Sequence, residues 1–238
     1  MIGLYPVSWD QKATFLERPN RFLATASLLK NGGSEVAEVH VRDPGRLEEL
    51  LFPGNLLLLK HAAGKKRKTK WDLVAARHGE QYVLVNSGYH PGIARKFLSD
   101  PSISPFGPLS SIRGEVKCGS SRLDFLISTP EAEKIYIEVK GCTLARNHTA
   151  LFPDAPTARG RRHLEELIKV RSEGMRAAVI FLVLRKDSRS FAPNSRTDPA
   201  FAETLLRASI AGVEIYPVLL EYSRDIIWYK SLLPVVFG

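Results

Sequence analysis

Cysteine is nearly absent. Cys118 and Cys142 are the only two in 238 residues, which excludes a disulfide framework and a four-thiolate zinc site. Both are expected to be reduced, apolar thiols. Long apolar runs are missing as well. The longest, Ala177–Leu184, has the length of a buried strand and falls far short of the ~20 residues that cross a bilayer. No basic, then apolar, then small-residue pattern opens the chain, so the expected location is the cytoplasm, with no membrane partner. Acidic charge is the third scarcity. Against 34 Lys and Arg stand 25 Asp and Glu, a formal net charge of +9. Such a balance speaks about partners rather than fold, and nucleic acid is the first polyanion to consider. There is no internal repeat and no low-complexity segment.

What is present falls into two parts. Arg21–Lys30 and Glu35–Val41 read as strands joined by the turn Asn31-Gly32-Gly33. Arg46–Phe52, between Asp43-Pro44-Gly45 and Pro53-Gly54, reads as a short helix. Asn55–Lys60, Trp71–Arg77 and Gln81–Val85 complete five strands, a set compatible with an OB-type barrel. Gly, Pro and Ser become frequent over Asn86–Pro108, with a short helical piece at Pro91–Leu98. The expected division is therefore 1–85 and 86–238.

The second part alternates strands and helices, an α/β pattern. Glu115–Cys118, Arg122–Ser128 and Lys134–Lys140 read as strands. Ala158–Ser172 is a helix capped by Thr157 and stopped by Gly174. Ala177–Leu184 is a strand covered on both faces. Asp198-Pro199 opens another helix, Gly212 stops it, and Val213–Leu220 follows as a strand.

Chemistry concentrates between Ser121 and Gly141. A hairpin centred on Glu131 sets Asp124 opposite Glu138, Leu126 opposite Tyr136 and Arg122 opposite Lys140. Leu123, Phe125, Ile127, Ile135, Ile137 and Val139 then share one buried face, as period-two alternation requires. The other face collects Asp124, Glu138 and Lys140. Opposed carboxylates repel, and a hard dication such as Mg²⁺ or Mn²⁺ removes that cost. Lys140 beside the metal can orient water or neutralise transition-state charge. Asp124, Glu138 and Lys140 are thus the expected catalytic residues. Asp124 and Glu138 are the expected metal ligands, with Glu115 a third carboxylate whose side the pattern leaves open. The competing reading is a surface ion pair of Glu138 with Lys140, and Asp124 held by Arg122.

Two basic clusters suit phosphate. Lys65, Lys66, Arg67, Lys68 and Lys70 lie in one strand-connecting loop before Trp71, and Trp71 or Trp9 could stack on a base. Trp71 is nevertheless expected to pack inside. Arg159, Arg161 and Arg162 stand at a helix N-terminus, where an anion fits. Alternatively Arg161 and Arg162 pair with Glu165 and Glu166 along that helix. His148 and His163 could assist phosphate chemistry, but isolated histidines are more often structural hydrogen-bonders.

The runs RPNRFLA (18–24), HVRDPGRLEELLFPG (40–54), KKRKTKWDL (65–73), SSRLDFLIS (120–128), IEVKGCTL (137–144), FPDAPTARGRRHLEEL (152–167) and DPAFAETLLRASIAGVEI (198–215) together resemble the sugar fermentation stimulation protein family. The resemblance implies an N-terminal OB-type domain followed by a restriction-endonuclease-like mixed-sheet α/β domain. It places an Asp…Glu-x-Lys core on Asp124, Glu138 and Lys140. The implied function is DNA binding with a divalent-metal-dependent nuclease-type site. The alternative is a catalytically silent DNA-binding regulatory module of sugar metabolism. Association into a homodimer stays open.

Overall fold

The first part closes five strands into a ring. The computed structural model describes residues 2–30, 33–64, 67–119 and 121–237, with the backbone alone at 30, 33 and 34. The expected turn at Asn31-Gly32 lies outside the described residues. Strand β1 (Ile2–Pro6) precedes β2 (Gln11–Asn20), β3 (Leu23–Lys30), β4 (Gly33–His40), β5 (Leu56–His61), β6 (Trp71–His78) and β7 (Gln81–Leu84). The order is β4-β3-β2-β5-β6-β7. The parallel pairing of Val39 with Trp71 and His40 with Asp72 joins β4 to β6 and closes an OB-type barrel. Ala13, Phe15, Ala24, Ala26, Val39, Leu57, Leu59 and Leu73 are buried in this unit.

Two expectations fail here. The barrel needs β2, which the pattern does not mark, because Ala13 and Phe15 are its only buried residues and its register shifts on both sides of Glu17. Arg46–Phe52 forms a turn rather than a helix. Leu47 adopts φ 54°, outside the right-handed helical region. Its carbonyl accepts from both Leu50 and Leu51, and Leu47 and Leu50 are pinned in the core. A stretch this short between two Pro-Gly stops gains too few hydrogen bonds to offset helix nucleation.

The chain divides into two compact units, Met1–Tyr89 with Glu221–Trp228, and His90–Leu220 with Tyr229–Gly238. The division expected from the sequence puts Glu221–Trp228 with the second part instead. Within the first unit, however, Tyr222 pairs with Tyr82 and its hydroxyl donates to Val7 O at 2.8 Å.

The second unit begins with α1 (His90–Ser99). Strands β8 (Ser111–Cys118), β9 (Ser121–Ser128) and β10 (Lys134–Cys142) form an antiparallel meander. Short strands β11 (Leu144–Arg146) and β12 (Thr149–Phe152) lead to α2 (Ala158–Ser172) and β13 (Arg176–Val183). Then come β14 (Ser190–Pro193), α3 (Pro199–Ile210), β15 (Glu214–Ser223) and β16 (Ile226–Leu232), the last two giving Glu221–Trp228 to the first unit. Strands β10, β13 and β15 pair in parallel, and α2 and α3 are the crossovers between them. The unit is therefore a mixed sheet, with β11, β12 and β14 as a second, three-stranded sheet.

The helix ends follow their expected signals. Thr157 Oγ1 accepts from Gly160 N at 3.0 Å and Asp198 Oδ1 from Phe201 N at 2.9 Å. Gly174 and Gly212 take φ of 81° and 84°, the left-handed conformation that lets a chain leave a helix. Leu164, Leu167, Val170, Phe201, Leu205 and Ala208 of the helices pack on Ala177, Val179, Phe181 and Val183 of β13. Among the described residues no helix is long and apolar enough to cross a membrane.

Candidate active site

The β9–β10 hairpin has the register that the apolar alternation predicts. Tyr136 faces Leu126, Ile135 faces Ile127 and Ile137 faces Phe125. Regular pairing stops one step short of Asp124 and Glu138. There the Asp124 side chain takes over the ladder's role, its Oδ2 accepting from Val139 N at 2.8 Å. The strands part at this point, and the alternation does not survive it. Leu123, expected beside Phe125 and Ile127, is instead buried in the cluster under α2 with Leu164 and Leu167. Val139 is only half-buried.

Glu138 is 2% exposed. Its Oε1 receives Lys140 Nζ at 2.5 Å and is bonded to His163 Nδ1 from α2. Lys140 Nζ lies 3.3 Å from the same Nδ1. Glu138 Oε2 is buried with no hydrogen-bond partner among the described residues. Burial alone would raise the Glu138 carboxyl, but the His163 bond and the Lys140 charge outweigh it and hold the group below the ordinary carboxylate range. Asp124 goes the other way. Burial first, and then the Glu138 charge, push it up to about 6, against the opposing Val139 bond and the charges of Lys140 and His163. Two carboxylates thus share one enclosed space, one of them reluctant to ionise and the other with an orphaned oxygen. Lys140 and His163 engage Oε1 alone, and the oxygens left over, Glu138 Oε2 with the Asp124 carboxylate, are the hard donors that a dication such as Mg²⁺ takes.

The structure does not bring Glu115 to them. It has φ 52°, is 78% exposed and pairs with Arg122 at 3.2 Å. Arg122 is therefore not the partner of Asp124 either. The described residues contain no group of three His, Cys, Asp or Glu side chains arranged for a metal. A dication here would rest on Asp124 and Glu138, with water or substrate phosphate completing its shell.

His163 is the residue that sequence reasoning undervalued. Only its place in the first turns of α2, with Arg159 four residues before it, hinted that it faces the strand ends. Arg159 Nε donates to His163 Nε2 at 3.4 Å, so this arginine backs the site. His148 lies elsewhere, with Nδ1 2.8 Å from Asp187 O. Arg161 reaches Asp198 at 3.6 Å rather than a glutamate of its own helix, while Glu165 meets Arg207 at 3.8 Å. Arg162 is exposed. Gly141, next to Lys140, is required by packing, because the His90 ring occupies the space a side chain would need. Burial holds that imidazole at about 4, hence neutral near pH 7.

In the first unit, Lys65 and Lys66 lie outside the described residues. Arg67 is ion-paired with Asp72, which Arg42 also approaches at 3.7 Å, so Arg67 is not a free cation. Lys68 and Lys70 are exposed. Trp71, expected inside, is half-buried. Cys142 is buried and Cys118 half-buried, both as thiols outside any disulfide.

The family described as the SfsA N-terminal OB domain matches residues 16–85, and that described as the sugar fermentation stimulation protein RE domain matches residues 88–225. The chain is 43% identical over 231 residues to the sugar fermentation stimulation protein homolog of Methanococcoides burtonii, covering 96% of this chain and 93% of that relative. It is 46% identical over 206 residues to the homolog of Moorella thermoacetica, covering 86% and 87%. The solved structure of Pyrococcus furiosus SfsA in complex with Ca²⁺ matches with a TM-score of 0.89 at 28% identity, over 99% of this chain and all 100% of that one. The architecture is thus an OB-type barrel followed by a restriction-endonuclease-like α/β domain.

Proposed function

The chain belongs to the sugar fermentation stimulation protein family, and on that premise we propose that it binds DNA and carries a divalent-metal-dependent phosphodiester-cleaving site at Asp124, Glu138 and Lys140. The observation that carries this reading is the buried, partnerless Oε2 of Glu138 beside an Asp124 pushed up to about 6. Ionised Asp124 is costly in that setting, and a cation between the two carboxylates would offset the cost. Pyrococcus furiosus SfsA was solved in complex with Ca²⁺, which supports a hard dication, and Mg²⁺ or Mn²⁺ is the proposed cofactor. Bound, it would act as a Lewis acid on the phosphate and lower the pKa of water.

The chain's own residues divide the remaining work. Asp124 and Glu138 hold the cation. His163 fixes Glu138 through Oε1 and so leaves Oε2 free to ligate. Lys140 supplies positive charge where the phosphate gains negative charge. Arg159 and Arg162, near the N-terminus of α2, are the proposed phosphate contacts on this unit, and Lys68 and Lys70 on the other. Lys65 and Lys66 belong to the same proposed loop.

The test pairs a cleavage assay in Mg²⁺ or Mn²⁺ with a binding assay in chelator. Asp124→Asn is expected to abolish cleavage and leave metal-free affinity equal or higher, because one negative charge near the phosphate is gone. Lys140→Ala is expected to abolish cleavage and weaken binding. Wild-type protein that cuts no DNA with either metal would overturn the enzymatic reading and leave a DNA-binding regulatory module.

A further inference from the structure

Three rings gather at one end of the first unit's barrel. His61 closes β5 and pairs across the strands with Trp71, which opens β6. Their ring centroids are 5.4 Å apart at an interplanar angle of 85°. In that edge-to-face contact, the ring offering its edge keeps both faces uncovered by the other. Trp9 comes to the same end through β2. Gln11 pairs with Leu59, and the Asp10 carboxylate accepts from His61 N at 2.7 Å, tying the segment to the tip of β5.

None of the three rings is core. His61 is exposed and both tryptophans are half-buried, while the interior is filled by Val39, Leu59 and Leu73. Trp228 of the same unit shows the structural alternative, since its indole N–H donates to Ser223 O at 3.0 Å. Among the described residues the indole N–H groups of Trp9 and Trp71 have no such partner.

The charges nearby are sorted in a way that suits a polyanion. Asp72 is engaged by Arg67 and Arg42, and Asp10 by Lys60 at 3.9 Å and by the His61 amide. Lys12 lies over Trp9 at 5.7 Å. Lys68 and Lys70 are exposed on the β5–β6 loop, whose base is held by Ala62 N donating to Lys70 O at 2.8 Å. Cations that follow a phosphate backbone therefore flank rings that offer π-faces. A duplex hides its base faces, so only unpaired bases can use such rings. Three adjacent strands span about 10 Å, and OB folds bind single strands over roughly 4–16 nucleotides.

We propose that Trp9, His61 and Trp71 form a stacking platform for the unpaired bases of single-stranded DNA. The proposal rests on the DNA-binding reading but not on the metal site. It names the form of DNA that the first unit takes, with selectivity for bases as a class and not for a sequence.

The test uses the full chain in chelator, so that cleavage plays no part. Fluorescence anisotropy compares a labelled oligothymidylate, an abasic strand of equal length with the same phosphates, and a duplex. Stacking at about 1–3 kcal/mol per base predicts that oligothymidylate binds at least about tenfold tighter than the abasic strand, and that it quenches tryptophan fluorescence. In Trp9→Leu, and separately in His61→Ala, that ratio is expected to fall below about threefold. His61 is exposed, so its variant does not depend on the fate of the core. Equal affinity for oligothymidylate and the abasic strand overturns the platform while leaving DNA binding intact, and so does an undiminished ratio in both variants. A protein that binds none of the three probes overturns the platform and the DNA-binding reading together.

Discussion

Replacing Asp124 with Asn should make the metal-free protein more stable at pH 8 and change little at pH 4. Burial and the neighbouring Glu138 raise this carboxyl from 3.8 to about 6 in the folded protein. Each tenfold change in proton affinity is worth ~1.4 kcal/mol, so ionised Asp124 costs the folded state about 3 kcal/mol. The sign follows from the protonated form being favoured by folding. Wild type has its full stability below 3.8 and loses it as the pH rises to about 6 and beyond. The amide keeps an oxygen to accept from Val139 N, the bond that holds the two strands together here, and carries no charge to penalise. For a chain of this size 1 kcal/mol is ~2–4 °C in Tm, which predicts a gain of about 6–12 °C for Asp124→Asn at pH 8 in chelator. Thermal unfolding of both proteins in chelator, at pH 4 and pH 8, is the assay, and groups common to both cancel in the difference. Adding Mn²⁺ should reverse the order at pH 8, because only wild type gains binding energy from two carboxylates. A variant no more stable than wild type at pH 8, or a gain that is the same at both pH values, would refute the electrostatic argument for the site.

Four further outcomes are expected. His163→Ala should weaken Mn²⁺ binding by about 10–100-fold, measured by calorimetry, because Glu138 loses the partner that orients it. Gly141→Ala should destabilise the protein by about 1–3 kcal/mol in denaturant titration, since a methyl group must displace the His90 ring. Asp198→Ala should cost about 1–3 kcal/mol in the same assay, because the carboxylate accepts from Thr157 N at 2.8 Å and from Phe201 N at 2.9 Å and so serves the starts of both α2 and α3. Changing Lys68 and Lys70 together to Ala should lower the log–log salt slope of DNA binding by about 1–2, with an unchanged slope removing this loop from the interface.

The features legible in the sequence are those that depend on near neighbours along the chain. Period-two alternation set the β9–β10 register through Phe125, Ile127, Ile135 and Ile137, because a slip of one residue would turn all of them to the wrong face. Thr157, Gly174, Asp198 and Gly212 marked the ends of α2 and α3, since a cap or a left-handed exit is a local matter of one side chain or one φ angle. The basic balance and the Asp124, Glu138, Lys140 constellation were likewise legible, as was the resemblance that joins them. Tertiary structure decided the rest, because the competing contacts come from residues far apart in sequence. It supplied β2, a strand with too few core residues to show a pattern, and it used Leu47 and Leu50 as plugs where local spacing suggested a helix. It parted the strands at Asp124, turned Leu123 under α2 and sent Glu115 out to Arg122. It also carried His163 on α2 to the buried carboxylate of Glu138. No local rule links those last two residues: the crossover helix brings them together, and burial makes their contact strong.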